Sequence, residues 1–392
     1  MRCETFEDIL IALPLIQKGV KEISELLLAN VVMVSEIPAP TFGEQRRVEF
    51  LKNRFHENGL LDNFTDEVDN VYAILPGEAT GRNILVVAHT DTVFSEEIDH
   101  TITVQPDKII GPAVGDNSLG VAVVASLPKI LEHLDIQLTS NVILMGASRS
   151  LGRGDLEGLR FFLSNTDMPI LAGIGVEGDH LGRLSHASVG MLRGEITCTV
   201  PEEYDWTRFG MTGAILSLNE IINRIVEIPT PKRPQTVIVL GSIEGGTSFG
   251  TIAKQAMLRF EIRSESAEIV NEIREKIEDI TLEVSERTNT QVFLDFFAKR
   301  VPGGIAFSHP LCRQTRKIME TLDIEPQVSP SISELSTFID RNIPAITIGI
   351  TTGERGKERK EKESIDIEPI FTGLAQLIGV LLAIDGGFCD ET

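Results

Sequence analysis

The sequence is poor in cysteine and in aromatic residues. Its 392 residues include four cysteines, one Trp and two Tyr, and aromatics make up 5% of the chain. The cysteines are far apart and form no CxxC pair: Cys3, Cys198, Cys312 and Cys389. This spacing argues against a disulfide framework and a cysteine zinc site, and it predicts a protein of the reducing cytoplasm. The scarce aromatic side chains offer no surface on which nucleic-acid bases would stack.

The chain also has few positively charged residues and no long apolar run. The chain has 36 Lys and Arg against 58 Asp and Glu, so that its formal net charge is -22. Such a chain would be repelled by a phosphate backbone and by an anionic membrane surface, which excludes nucleic acid and membranes as expected partners. No apolar run reaches the ~18 residues that a membrane helix needs. The N-terminus lacks the basic start and cleavage site of a clear signal peptide, so we expect a cytoplasmic protein.

The length of the chain predicts two domains, and the pattern of apolar residues indicates what they are. A helical pattern covers residues 18–36. Short buried strands are predicted at residues 83–88, 142–145 and 171–176, with helices between them and polar residues at their ends. This alternation is typical of an α/β sheet whose site lies along the carboxyl edge of the strands.

The middle third of the chain has a different pattern. Strands are predicted at residues 193–200, 236–240, 257–262 and 291–297, with amphipathic helices after the first and the third strand. The order βαββαβ is that of a small ferredoxin-like α+β domain. We therefore predict a domain at residues 193–300, inserted into an α/β domain formed by residues 1–192 and 301–392.

Four polar residues lie where such a sheet would place a site. His89 and Asp91 directly follow one buried strand, Asp116 lies in a glycine-rich turn, and Glu177 ends another strand. These side chains are borderline or hard metal ligands, and the Asp91 carboxylate could orient the His89 ring. Each residue taken alone could equally be a turn former or a cap, because a His-x-Asp pair by itself is a weak motif.

The order of the motifs along the chain is more specific than any one of them. The segments AHTDTV, GPAVGDNS and VEG around these four residues are accompanied, in order, by PAPTFGE, VDNV, GDLEG and NIPA. This set resembles the co-catalytic zinc metallopeptidase family, which includes glutamate carboxypeptidases, aminoacylases, tripeptidase T and succinyl-diaminopimelate desuccinylase. The resemblance extends over nearly the whole chain.

The resemblance implies a large phosphorylase/hydrolase-like α/β catalytic domain with an inserted ferredoxin-like lid, through which the chain could form a homodimer. It implies His89, Asp116 and Glu177 as ligands of one zinc ion, for which manganese or cobalt would also be suitable. Asp91 would orient His89, and Arg263 matches an arginine that grips a substrate carboxylate in some relatives. The implied ligand is a small peptide or an N-acyl amino acid derivative.

The other half of the family's site is missing from the sequence. Two adjacent glutamates, the general base and a ligand of a second ion, should follow the strand at residues 142–145, but no residue from 146 to 153 is a carboxylate. No histidine follows His309, although the family has a late histidine ligand. A lid histidine and a lid asparagine are also replaced. The degenerate positions are Arg149, Ser150, Leu151, Tyr204, Gly250 and Arg359.

We therefore expect a peptidase-type protein with impaired catalysis, one metal ion at most or none, and no identified general base. Arg149 or Arg359 is expected to pair with Asp116 or Glu177 and to offset the missing second ion. Two alternatives remain: an active single-metal amide hydrolase, and a non-enzymatic binding or assembly partner. An unrelated scaffold with polar strand ends is disfavoured by the ordered motifs.

Overall fold

The chain divides into two compact units. The computed structural model describes residues 4–79, 81–201, 213–288, 290–355 and 362–391. The first unit comprises Met1–Ala187 and Gly304–Thr392, and the second comprises Ser188–Gly303.

The helices and strands within the described residues have the following bounds. The helices are α1 (Phe6–Glu22), α2 (Ser24–Ser35), α3 (Gln45–Glu57), α4 (Leu119–His133), α5 (Glu157–Asn165), α6 (Ala214–Val226), α7 (Ala267–Thr288), α8 (Pro310–Thr321), α9 (Leu335–Asp340) and α10 (Glu368–Asp385). The strands are β1 (Asn63–Thr65), β2 (Val71–Leu75), β3 (Asn83–His89), β4 (Thr103–Val104), β5 (Lys108–Gly111), β6 (Asn141–Ala147), β7 (Ile170–Glu177), β8 (Arg183–Ser185), β9 (Ala187–Ser188), β10 (Gly190–Thr199), β11 (Thr236–Gly245), β12 (Gln255–Ser264), β13 (Gln291–Arg300), β14 (Gly303–Gly304), β15 (Gln327–Val328), β16 (Ala345–Gly349), β17 (Gly353–Glu354) and β18 (Glu363–Asp366).

An eight-stranded sheet organises the first unit, in the order β1-β2-β6-β3-β7-β16-β8-β15. The central strands β6, β3, β7 and β16 are parallel to one another, whereas β2 and β8 pair antiparallel at either side of them. Every residue of β3 is buried, as expected for a strand covered on both faces. Because parallel strands end at the same edge, the last residues of β3 and β7 lie side by side there.

Helices supply the rest of the core of this unit. The helix α4 is buried over most of its length, and in α10 fourteen of the fifteen residues from 370 to 384 are buried. Among the residues that the structure describes, only α10 is long and apolar enough to cross a membrane, with a mean hydropathy of 1.4, but 78% of it is buried in the core. The core helix of a globular protein can be as long and as apolar as a membrane-spanning helix, and the burial of α10 is that of a core helix.

The second unit is an antiparallel sheet in the order β11-β12-β10-β13, packed against α6 and α7. The chain order β10-α6-β11-β12-α7-β13 is βαββαβ, so the predicted ferredoxin-like arrangement is confirmed. Its core is formed by isoleucines, leucines and valines that recur with the period of each element, including Ile196 on β10, Ile221 on α6 and Ile277 on α7.

The helix predicted over residues 18–36 is wrong in its bounds. The structure has one helix that begins at Phe6 and a second that begins at Ser24, separated at Ile23. Thr5 caps the first helix, since its hydroxyl accepts a hydrogen bond from the Asp8 backbone N–H at 3.2 Å. The sequence pattern hides this start because Pro14 lies inside the helix, where proline is usually disfavoured.

Candidate metal centre

Three of the four predicted site residues meet at the carboxyl edge of the large sheet. His89 ends β3, Glu177 ends β7, and Asp116 lies in the turn Val114–Ser118, where its own backbone is not helical. One ligand atom of each lies within 4.8 Å of the other two. Nε2 of His89 is 3.1 Å from Oδ1 of Asp116. Within the described part of the chain, this is the only group of three or more such side chains with a geometry that could hold an ion.

The buried side chain of Asn117 fastens the Asp116 turn to the sheet. Its Nδ2 donates to the backbone oxygen of Val176 at 2.7 Å, and its Oδ1 accepts from the backbone N–H of Gly178 at 2.9 Å. The same oxygen accepts from the N–H of Gly120 at 3.2 Å, in the first turn of α4. These three bonds fix the position of Asp116 relative to the end of β7, where Glu177 lies.

Glu363 holds the same turn from the other side. Its Oε2 accepts the backbone N–H groups of Gly115 at 3.1 Å and of Asp116 at 3.2 Å. Burial raises the pKa of the Glu363 carboxyl to about 7. This residue, on the short strand β18, is a supporting element that the sequence motifs did not identify.

Asp91 orients His89 through its backbone oxygen, and its carboxylate lies beside the same ring nitrogen. Nδ1 of His89 donates to the backbone oxygen of Asp91 at 2.9 Å, whereas its distance from the carboxylate Oδ1 is 3.4 Å. The other carboxylate oxygen accepts from the Thr41 hydroxyl and from the Leu151 backbone N–H, both at 2.8 Å. With Nδ1 engaged as a donor, Nε2 is the nitrogen that faces Asp116 and could bind an ion.

The three clustered side chains perturb one another's protonation. Burial by itself would lower the pKa of His89, but its hydrogen bonds to Asp116 and Asp91 outweigh burial and hold that pKa well above its usual value. Burial would raise the pKa of Asp116, but the bond to His89 keeps it well below its usual range. Burial raises the pKa of Glu177. Because metal ligands bind in their deprotonated forms, an ion at this cluster would have to displace the protons that His89 and Glu177 tend to keep.

An arginine contacts this cluster, but it is not one of the two that the sequence suggested. Nη1 of Arg355 lies 3.1 Å from Oδ2 of Asp116. Its Nη2 lies 2.9 Å from Oδ1 of Asp179, and its Nε also donates to Asp179. A second cation, Arg183, lies 3.6 Å from Oε1 of Glu177.

The expected role of Arg149 as the partner of Asp116 or Glu177 is wrong. Its guanidinium forms ion pairs with Asp69 and Glu157, each at 3.3 Å. The backbone φ of 55° at Arg149 turns the chain as it leaves β6, and the side chain points to these two acids. The neighbouring Ser150 is buried. Tyr204 and Arg359 lie outside the described residues.

Two further predicted positions lie in the second unit. Gly250, in the connection between β11 and β12, has a φ of 71°, a conformation that glycine adopts easily. Arg263 on β12 forms an ion pair with Glu261, which also pairs with Arg193 at 2.6 Å. The side chain of Arg263 is 43% exposed, and its charge is already matched by Glu261. Its role in gripping a carboxylate stays a prediction.

Sequence reasoning also missed a buried acid. Glu334 immediately precedes α9 and is 5% exposed, and its Oε1 has no hydrogen-bond partner. Its charge contributes to raising the pKa values of both His89 and Glu177, so it lies within electrostatic reach of the cluster. No motif pointed to Glu334, because its serine-rich surroundings are typical of an ordinary loop.

Two family models match parts of the chain. Residues 70–148 match the model described as "Peptidase family M28", and residues 208–289 match a "Peptidase dimerisation domain". Comparison with curated protein sequences gives no match.

Solved structures of metallopeptidases have the same fold over almost the whole chain. A di-peptidase from Saccharomyces cerevisiae has a TM-score of 0.79 at 10% identity, covering 95% of this chain and 98% of its own. Human carnosine dipeptidase 1 has a TM-score of 0.75 at 11% identity, covering 96% and 99%. A dinuclear metal binding peptidase from Bacillus subtilis, of the M20 family, has a TM-score of 0.62 at 15% identity, covering 93% and 98%. The metallopeptidase resemblance of the sequence motifs is thereby confirmed.

Proposed function

We propose that this chain, which has the fold and domain types of the metallopeptidases, binds one divalent ion at His89, Asp116 and Glu177 and has an impaired capacity for amide-bond hydrolysis. The observation that carries the proposal is the asymmetry of Asp116. One of its carboxylate oxygens faces His89 and the other faces Arg355. One half of a metal site is thus built from ligands, while an arginine lies beside the other half.

The three clustered residues suit one ion. One imidazole and two carboxylates suit zinc, manganese or cobalt, and their ligand atoms are close enough to converge on a single centre. When bound, such an ion would supply Lewis-acid polarisation of an amide carbonyl. Asp91 would keep the His89 ring in the correct orientation, and Asn117 would keep Asp116 at the end of β7.

The proposed impairment of hydrolysis rests on the segment at the end of β6 and after it, which supplies structural contacts and no general base. Its groups hold the local structure: the Arg149 backbone N–H donates to Glu44 at 2.8 Å, and the Leu151 N–H donates to Asp91. No residue from 146 to 153 carries a carboxylate that could take a proton from water. Losing a general base costs about 10²–10⁴-fold in rate.

The ligand class and assembly belong to the same proposal. Two of the similar structures are dipeptidases by name, and we propose that this chain binds a small peptide or an N-acyl amino acid. The match to a peptidase dimerisation domain supports a homodimer formed through the second unit. A cytoplasmic location is consistent with the buried thiols of Cys198, Cys312 and Cys389. A role in binding or in assembly with an active relative would need only these properties.

A second candidate function is that of an active single-metal hydrolase, with Glu334 in the role of the base. The specific observation in its favour is the unpartnered Oε1 of this buried carboxylate, close enough to His89 and Glu177 to affect both. An unpartnered buried carboxylate oxygen is costly, and such groups often serve a site.

The test is metal content together with turnover. The purified protein is loaded with Zn²⁺ or Mn²⁺, dialysed and analysed for metal, and then assayed on dipeptides and N-acyl amino acids. We expect about one equivalent of ion, lost in His89→Ala and kept in His133→Ala, whose ring is 39% exposed at the surface. Absence of retained metal in the unmodified chain would overturn the ion, and rapid turnover would overturn the impairment in favour of the hydrolase.

A further inference from the structure

Asp116 is shared between two cationic groups on opposite sides of its carboxylate. Oδ1 is 3.1 Å from the His89 ring, and Oδ2 is 3.1 Å from Nη1 of Arg355. A carboxylate that uses each oxygen for a different positive partner is in the position of a bridging ligand. Here one side of the bridge is the His89 and Glu177 cluster, and the other side is a guanidinium.

Arg355 is held in place at this position by a second acid. Asp179 receives hydrogen bonds from Nη2 and Nε of the guanidinium, and its own side chain is 5% exposed. This fork geometry orients the planar group, which a single contact would not do. The Arg355 side chain is 43% exposed, so one part of it faces solvent while its charged end lies between two acids.

The local charge balance depends on this arginine. Arg355 forms ion pairs with both Asp116 and Asp179. Of the other groups nearby that can carry a positive charge, Arg183 lies 3.6 Å from Glu177, and the His180 ring lies 2.7 Å from Oδ1 of Asp179. Without Arg355, Asp116 would keep its contact with His89 and Asp179 its contact with His180, but the two acids would lose the guanidinium that they share. Carboxylates brought together in this way are ligands for a divalent ion.

We propose that Arg355 is a resident cation that occupies the place of a second metal ion, and that Asp116 and Asp179 form a divalent-cation site once its side chain is removed. Arg355 neutralises these acids but, having no open coordination position, cannot polarise a carbonyl as a metal ion would. The unmodified chain therefore binds one ion, and the ligands of a second site are present but occupied by Arg355. The expected number of ions in this inference rests on the proposed single-ion function, whereas the second site itself rests only on the contacts of Arg355.

The test compares the number of Mn²⁺ ions bound by three variants, measured by calorimetric titration of the metal-free protein. We expect one equivalent for the unmodified chain and two for Arg355→Gln, which removes the charge. Arg355→Lys keeps a positive charge and should bind one. The matched control is Arg160→Gln, because Arg160 is 41% exposed and pairs with Asp155 at 3.2 Å, away from the cluster; it should also bind one.

A second readout does not depend on counting ions. In the presence of EDTA, Arg355→Gln should have a lower melting temperature than the unmodified chain, and Mn²⁺ should restore it. Arg160→Gln should gain no more from Mn²⁺ than the unmodified chain does. Circular dichroism of each variant shows that the comparison is made between folded proteins.

The outcomes separate this inference from the proposed function. One ion in the unmodified chain and one, with unchanged affinity, in Arg355→Gln would overturn the inference and leave the proposed function standing. No ion in the unmodified chain and one in Arg355→Gln would overturn the proposed function and support the inference. No ion in either protein would overturn both.

Discussion

Nη1 of Arg355 lies 3.1 Å from Oδ2 of Asp116, whose other oxygen contacts His89. Because the sequence lacks several metal ligands, an arginine was expected to pair with Asp116 or Glu177, and the two candidates were Arg149 and Arg359. The structure brings in Arg355 from the segment after β17, while Arg149 pairs with acids elsewhere. Which arginine reaches a buried acid therefore depends on the path of the chain.

Asp91 is predicted to set the affinity for the ion. Asp91→Asn keeps the backbone oxygen that accepts from His89 but removes the charge near Nδ1, and changes of this kind typically cost about 10- to 100-fold in metal affinity. The measurement is competition with a chromophoric chelator for Zn²⁺. Thr41→Val, which removes one hydrogen bond to the same carboxylate, should have a smaller effect. An unchanged affinity in Asp91→Asn would show that the backbone contact alone orients the ring.

Asn117 is predicted to carry much of the local stability. Asn117→Ala removes three hydrogen bonds in a side chain that is 1% exposed and leaves the Val176 carbonyl and the Gly178 N–H without this partner. We expect a loss of about 2–4 kcal/mol in the free energy of unfolding, measured in urea. Asn165→Ala, at an exposed helix end, should change it by less than about 0.5 kcal/mol. Equal effects in the two variants would contradict this role.

Gly120→Ala is predicted to destabilise the same turn, although alanine is the better helix former. The added Cβ would lie 2.2 Å from Oδ1 of Asn117, so the amide would have to move. Overpacking costs about 1–3 kcal/mol and the helix gains only about 1 kcal/mol, so the net effect should be unfavourable. Gly241→Ala, where the nearest atom is 3.4 Å away, serves as the control in the same thermal unfolding measurement. A Gly120→Ala protein as stable as the control would mean that the turn has room to adjust.

Glu334→Gln distinguishes the two candidate functions. If residual hydrolysis depends on Glu334 as the base, kcat should fall by about 10²–10⁴-fold while the Mn²⁺ affinity changes much less. Glu325→Gln, on the exposed surface, should leave kcat unchanged. A parallel loss of metal affinity and rate would instead assign Glu334 to holding the site together.

The exposed apolar residues of β11 are predicted to lie in a dimer interface. This edge strand exposes Val237, Val239 and Ile243, and an unpaired edge of this kind favours pairing with another chain. Ile243→Lys should convert a dimer to a monomer in sedimentation experiments. Val104→Lys changes a valine of similar exposure, 58% against 60%, in the first unit and should leave the dimer intact. A monomeric unmodified chain would contradict the proposal at once.

Much of the fold could be predicted because most of its helices and strands have a clear pattern of apolar residues in the local sequence. Continuous apolar runs such as that of β3 and the stripe of isoleucines on α7 each indicate one element, and the order βαββαβ then selects the ferredoxin-like arrangement. Where a local signal was ambiguous, the prediction was wrong: Pro14 hid the first helix, and Ile23 separated two helices that the pattern had joined.

The sequence alone determined which residues end the parallel strands, and therefore that His89 and Glu177 would lie at one edge of the sheet. It also determined that no carboxylate occurs from residue 146 to residue 153, at the end of β6 and directly after it. Only the tertiary structure decided the partners of these residues. Arg355, Glu334 and Glu363 come from loops and a strand end distant in sequence, and their approach depends on loop paths that no local period encodes. The period of a strand or helix is a property of neighbouring residues, whereas the pairing of buried charges is decided by which groups the folded chain removes from water together.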